Sequence, residues 1–429
     1  MAGGVALAVM FLLLMLGVPI AFAMAAVGAA GLWILEGPSS ALAHAALIPW
    51  SEGRSFVFVT IPLFVLMGQL VYQTGLATDL YAGIRSWIGK VPGGLAVASV
   101  IACAGFGAVT GSSIATVATM GAIVMPEMRR YGYDPRLATG ALAASGTLGI
   151  LIPPSVIFIF YGVMTETSIG ALFIAGIVPG IITAAMFSAI VLVRCWITPT
   201  LGPKGPSASW SERWTSARGF VPILALFGLV MGGLYVGAFT PTEGAGVGCA
   251  GVLLIAGLKR KVTVPAMARA LEETALISAM MFAIIVAGYL LARFLAITGT
   301  TEAIVATLVG MELGRIGFIL LLVLLYLVLG ALLDVFGMLV LTIPFVMPVV
   351  RELGIDPLWF GVFAVVMSEV ALVTPPIGAN VFVMRRVAPD VPMAEIFMGV
   401  LPFVIGELVI IALLVAFPEV ATWLPGQMG

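Results

Sequence analysis

The chain carries the same interrupted apolar segment twice. Adding 222 to Met125, Pro126, Arg129, Gly132, Asp134, Pro135, Pro153 and Pro154 gives Met347, Pro348, Arg351, Gly354, Asp356, Pro357, Pro375 and Pro376, the same residue each time and without a gap. The sequence is an internal duplication, and its fold must accommodate two copies of one plan. Each copy is mostly apolar yet broken by Gly, Ser and paired Pro, which a continuous spanning helix avoids. In a bilayer such breaks survive only where the freed backbone is buried in protein or lines a cavity. Matching breaks in two halves point to the binding site of a secondary transporter, so the residues predict an ion-coupled carrier.

Composition fixes the solvent. Of 429 residues 62% are hydrophobic and 9% charged, and apolar runs of about 20 residues recur throughout, as in a polytopic helical membrane protein lodged in a lipid bilayer. A barrel would show short alternating segments, which are absent. The net charge of -1 leaves no basic patch for nucleic acid. Cys103, Cys195 and Cys249 have no CxxC spacing, which argues against a disulfide framework or a thiolate metal site. The apolar run from Gly3 has no basic residue before it and no small-residue cleavage site, so it reads as a retained span.

Taken in order, residues 1–196 form a first repeat. It holds a helix pair broken at Gly17-Val18-Pro19, an interfacial arm from Glu36 to Arg54, a crossing at 55–72 and a surface stretch at 73–93. A re-entrant hairpin near 94–127 follows, with Thr110, Gly111, Ser112 and Ser113 at its tip. A broken helix at 137–161 and a crossing at 168–196 complete the half. Residues 197–218 form a polar connector. The second repeat, 219–429, returns a helix pair at 219–258, an arm at 262–274 with a crossing at 275–297, and a surface stretch near 298–314. Its hairpin near 315–348 has the tip at Asp334 to Gly337, its broken helix spans 359–384, and a last crossing lies near 397–418.

Each half makes an odd number of net crossings, so the second should be inverted relative to the first. The charges are an independent check. With the Arg129, Arg130, Arg136 turn cytoplasmic, Arg85, Lys90, Lys204, Arg213, Arg218, Lys259 to Lys261 and Arg385-Arg386 fall on the same face, while Arg351 stands against Glu352 and Asp356 on the other.

Broken helices offer an alkali cation several oxygen ligands as freed carbonyls and hydroxyls. Ser112, Ser113 and the Gly149 to Pro154 break would form one site; Asp334 to Gly337 with Thr374 and Pro375 would form another. Thr110, Ser155, Asp334 and Asn380 are the side chains at these breaks placed to reach a solute, and helix N-termini beside them suit an anion. The competing explanation is that small residues here only allow close helix packing. Glu243, Asp334, Glu369, Glu407 and Arg293 lie in or beside apolar spans, where ionised groups are costly. Glu243 reads as a helix N-terminal acid, Glu369, about one and a half turns before the second break, is placed to bond freed backbone amides instead of touching substrate, and Glu407 and Arg293 have no partner assignable from sequence. The single histidine, His44, and the absence of HExxH and Walker A patterns argue against an enzyme and against direct use of ATP.

The segments 59–71, 111–135, 146–162, 237–247 and 372–383 together resemble the large membrane subunit of tripartite ATP-independent periplasmic (TRAP) transporters. The resemblance spans nearly the whole chain. It implies an elevator-type carrier of the ion transporter superfamily in a bacterial or archaeal inner membrane, coupled to two or more sodium ions and moving a carboxylate-bearing solute without an organic cofactor. It also implies a small four-helix membrane subunit and a soluble periplasmic substrate-binding protein as partners. Carried over by position, one sodium site falls on Ser112, Ser113, Gly149 and the carbonyls beside Pro153, and a second near Gly337, Ala371, Thr374 and Gly378. The family more often has glycine at the place of Ala371 and a proline soon after the hairpin aspartate, where this chain has Val335-Phe336-Gly337. A stand-alone ion-coupled anion symporter or exchanger of a related inverted-hairpin class is the alternative.

Overall fold

A computed structural model describes residues 2–427, and among them every regular element is a helix. Among the described residues seven helices are long and apolar enough to cross a membrane, or eight when Pro135–Leu151 and Val156–Thr165, bent by 42°, count as one span. The hydrophobic surface is distributed accordingly: Ile34, Trp196, Leu254 and Ile316 are broadly exposed on the outside, as lipid-facing side chains are.

The first hairpin is Gly94–Thr110 followed by Ser113–Arg130. The second is Gly314–Gly330 followed by Val335–Glu352. Both interrupted spans have the expected form, Pro135–Ser145 with Leu148–Leu151 leading to Val156–Thr165, and Pro357–Val373 leading to Ala379–Val387. The 222-residue offset recurs in the local geometry. Gly132 and Gly354 have φ of 72° and 61°, the left-handed turn that glycine alone adopts freely. Asp134 and Asp356 then cap the following helices with prolines at the first position, a strong helix start.

Helices from the two halves interlock. Ile20–Glu36 packs on Val264–Ile297, and Pro241–Leu258 packs on Thr60–Gln73, the equivalent pair with the halves exchanged. The Thr60 and Thr242 hydroxyls are 2.6 Å apart, and the Cys249 thiol donates to the Leu63 carbonyl at 3.1 Å. A second group collects the hairpins, the interrupted spans, Ile169–Ile197 and Met393–Ala416.

Three boundaries differ from the sequence reading. The connector ends early, because Ser209 and Glu212 make a capping box that starts the helix Trp210–Tyr235 within the stretch read as polar linker. Residues 262–274 are not a separate arm: Val264–Ile297 is one helix of 34 residues, and the change from charged to apolar composition falls within its first third. The tip of the second hairpin is also displaced, since Val335 to Gly337 already belong to the helix that Asp334 caps.

Charged residues are tied down at the ends of the bundle. Arg85 pairs with Glu127, Arg129 with Asp390, and Arg136 with Glu395 at 3.7 Å. Lys259 and Lys261 both reach Asp79, at 2.8 and 2.9 Å, joining the surface helix Leu76–Ile88 to the end of Pro241–Leu258. Partial burial pushes the Asp79 carboxyl up, but the hydrogen bonds from both ammonium groups outweigh it and leave the group below its ordinary value. The clasp should therefore stabilise the fold fully above the ordinary aspartate range, about pH 3.9. It should weaken as pH falls through the lower folded value, and Asp79→Asn should abolish that acid-dependent component in a thermal melt.

Close backbone approach sets the second expectation. A Cβ on Gly399 would lie 2.1 Å from the Arg136 carbonyl oxygen, and one on Gly140 would lie 2.2 Å from the Gly399 carbonyl carbon. Gly399→Ala should cost about 1 to 3 kcal/mol, read as a lowered melting temperature, while Gly232→Ala, which meets nothing within 4 Å, should be neutral.

Candidate functional site

The first hairpin tip closes directly onto the first interruption. Gly111, at φ 61°, brings its α-carbon so near the break that a Cβ would sit 3.0 Å from the Pro154 carbonyl oxygen and 3.1 Å from the Val156 nitrogen. One turn back, a Cβ on Gly107 would lie 2.5 Å from the Gly149 α-carbon, and one on Gly149 would lie 2.9 Å from the Ser112 carbonyl oxygen. Ser112, Gly149 and the Pro154 carbonyl thus meet in one place. Ile152 to Ser155 are all buried there.

The freed backbone groups at this junction are satisfied by hydroxyls. Ser112 accepts from the Ala115 amide at 3.3 Å and caps Ser113–Arg130, and its own carbonyl accepts from the Thr116 hydroxyl at 2.7 Å. Ser155 caps Val156–Thr165 through the Phe158 amide at 3.4 Å and donates to the Ile150 carbonyl at 2.5 Å. Ser155 is fully buried and committed to the backbone. Thr110, also buried, stands 3.3 Å from the Thr116 hydroxyl. Thr116 is a participant that the sequence reading passed over; its position one turn after Ser112 was the available signal.

Asn380 comes from the other half and completes the junction. Its amide nitrogen donates to the Ser113 hydroxyl at 2.7 Å and to the Ala143 carbonyl at 3.0 Å, and the side chain is fully buried. The N-termini of Ser113–Arg130 and Ala379–Val387 are thereby held side by side, each presenting unpaired amides and the positive end of its dipole. Every group gathered here is an oxygen, an amide or an apolar wall. Hydroxyls whose hydrogens are placed on carbonyls keep their lone pairs outward, and this donor set suits a hard alkali cation.

The second junction is built differently. Asp334 caps Val335–Glu352 by accepting from the Gly337 amide at 3.1 Å, the same interaction that Ser112 makes with Ala115 at the equivalent positions. Gly330 packs on Ala371 so closely that a Cβ there would be 2.2 Å from the alanine Cβ, echoing Gly107 on Gly149. The Thr374 hydroxyl donates to the Val370 carbonyl at 2.9 Å, and Gly378, at φ 53°, lies near the Thr374 carbonyl and Phe397. Gly337 instead faces Ile20. Pro375, Pro376 and Ile377 are exposed, as are Leu332 and Asp334, so this junction is open where the first is sealed. Where Asn380 meets Ser113 in the first junction, the corresponding helices of the second are held by an edge-to-face contact of Phe160 and Phe336, centroids 5.3 Å apart.

The remaining sequence candidates are placed as follows. Glu243 closes a capping box with Thr240, accepting from its amide at 2.8 Å. Arg293 is exposed near the end of its helix, and His44 lies 3.8 Å from Glu36. Removing the Asn380 side chain would strand a buried carbonyl and hydroxyl. Asn380→Ala should lower stability by about 1 to 3 kcal/mol, and a double-mutant cycle with Ser113→Ala should show coupling between the two positions in the thermal melt.

Comparison with known proteins gives this geometry a family. Residues 7–420 match the family model described as Tripartite ATP-independent periplasmic transporter, DctM component. The C4-dicarboxylate TRAP transporter large permease protein DctM of Pseudomonas aeruginosa is 33% identical over 89% of this chain and 88% of its own length. The sialic acid TRAP transporter large permease protein SiaM of Vibrio cholerae is 30% identical over 96% of both chains. Among solved structures, the YdaH transporter of Alcanivorax borkumensis superposes with a TM-score of 0.60 at 16% identity, over 92% of this chain and 91% of that one. At that identity the likeness concerns the fold. The chain is a multi-pass membrane protein, and it belongs to the DctM family of large permease subunits of tripartite ATP-independent periplasmic transporters.

Proposed function

We propose that the chain carries out sodium-coupled uptake of a small carboxylate-bearing solute across the inner membrane, with a periplasmic binding protein delivering the solute and a small four-helix membrane subunit beside it. The observation that carries this reading is the junction at Gly111, Pro154 and Asn380. A hairpin tip, a helix break and a second helix N-terminus converge there, with carbonyl and hydroxyl oxygens for a cation and amide dipoles for an anion. Relatives named for C4-dicarboxylate and sialic acid support the solute class. Membership of a tripartite family supports the binding protein and small subunit over the stand-alone alternative.

Sodium would be held by Ser112, Ser113, Gly149 and the Pro153 carbonyl in one junction and by Ala371, Thr374 and Gly378, with Gly337 nearby, in the other. Ser113 contributes through its carbonyl, because its hydroxyl is engaged by Asn380. Binding at both sites would fasten hairpin tips to interrupted spans and orient the helix N-termini toward the solute. The two repeats would be inverted about the membrane midplane. The group containing the hairpins would then travel as a unit past the interlocked helices Ile20–Glu36, Thr60–Gln73, Pro241–Leu258 and Val264–Ile297, an elevator motion.

Sodium titration of the purified chain tests the sites without knowledge of the solute, because a ligand that binds only the folded state raises the melting temperature. Ser112→Ala and Thr374→Ala should each weaken the sodium dependence about tenfold, equivalent to about 1.4 kcal/mol, while lowering the sodium-free melting temperature less. Identical sodium titrations in both variants and the parent would remove the hairpin-site assignment.

A further inference from the structure

Two acids lie deep in the bundle, apart from the hairpin tips. Glu369 belongs to Pro357–Val373 and Glu407 to Met393–Ala416, and both are fully buried. The Thr147 hydroxyl is 3.3 Å from Glu407 Oε1, and Pro357–Val373, which carries Glu369, packs on both Met393–Ala416 and Leu148–Leu151, placing the Glu369 carboxyl within electrostatic reach of Glu407. Thr147 and Glu369 are equivalent positions of the duplication, so the group forms where the two interrupted spans meet. Glu407 has no such twin, its counterpart being Ala185.

The hydrogen-bond accounting does not close. The Thr147 hydroxyl oxygen, 2.8 Å from the Ala144 carbonyl oxygen to which it also donates, is among the described residues the one hydrogen-bond donor to these four carboxyl oxygens. Glu369 Oε1 and Oε2 and Glu407 Oε2 have no partner, and among the described residues no Lys, Arg or His pairs with either acid. Unpaired buried carboxylates side by side suffer both desolvation and mutual repulsion, and a positive charge between them relieves both. Packing alone does not call for two acids here, since apolar side chains would fill the space without that penalty.

We propose that Glu369, Glu407 and Thr147 form a binding site for a small monovalent cation, distinct from the hairpin junctions. The charge is either a proton shared between the carboxyls or an alkali ion held by carboxyl and hydroxyl oxygens. Its placement at the meeting of the interrupted spans links its occupancy to the angle between them. The assignment extends the ion-coupled reading to a further ion, and it is measured without uptake, so its failure leaves the sodium titration at Ser112 and Thr374 untouched.

Infrared difference spectroscopy on the full chain in lipid nanodiscs tests it, comparing the parent with the double variant Glu369→Gln, Glu407→Gln and with Glu352→Gln, an exposed acid, as control. A proton site predicts a protonated-carboxyl band at neutral pH that is indifferent to sodium and lost in the double variant alone. An alkali site predicts that this band emerges only on sodium withdrawal, and that the double variant weakens one component of the sodium-dependent melting shift at least tenfold. A band that persists in the double variant would overturn the proposal. So would a parent with neither band nor altered sodium titration. If the double variant does not purify, the single Glu407→Gln is read in the same way, and a spectrum and titration identical to the parent count against the site.

Discussion

A helix that stops inside an apolar slab leaves amides and carbonyls that water cannot reach, and the rest of this structure depends on how those groups are satisfied. At the first interruption the chain answers with short hydroxyl side chains: Ser112, Ser155 and Thr116 each bond a backbone group within one turn of the break. The approach of Gly107 to Gly149 and of Gly111 to Pro154 then leaves no room for a Cβ at Gly107 and only a tight fit at Gly111. Sealing the break and shaping an oxygen-lined junction are therefore one physical event, and both rest on small residues.

The duplication preserves turns and caps and varies what lies between them. Gly132 and Gly354, Asp134 and Asp356, and Ser112 and Asp334 keep the same roles, because the backbone geometry at each point admits few alternatives. Side chains free of that constraint have diverged. Asn380 on Ser113 in one junction faces Phe160 on Phe336 in the other, and a sealed break faces an open one. Two halves of common origin have thus become chemically unequal, one polar and closed, the other aromatic and accessible.

Much of this was legible in the sequence, for a definite reason. Gly, Ser and paired Pro act on the residues next to them, so the first hairpin tip and both breaks could be placed from local chemistry. Continuity was harder to read: Arg269, Glu272 and Glu273 are exposed residues of the helix Val264–Ile297, and their charge resembles a boundary although the backbone continues through them. The capping box at Ser209 and Glu212 was present in the letters but hidden by the polar run around it. The encounter of Glu369 with Glu407 depends on how three distant helices pack, and no pattern along the chain announces it, although the 222-residue offset pairs Glu369 with Thr147.

The segment between the halves bears on how the molecule can be handled. Its residues 198–209 run beneath the first hairpin, where the Gly202 carbonyl accepts from Gly93, the Leu201 carbonyl from Asp134, and the Gly205 amide donates to Gly89. A fluorophore, epitope or protease site inserted there would tug on the helix whose far end bears Gly111. What looks like the natural seam for splitting the gene product in two is instead part of the floor on which its first hairpin stands.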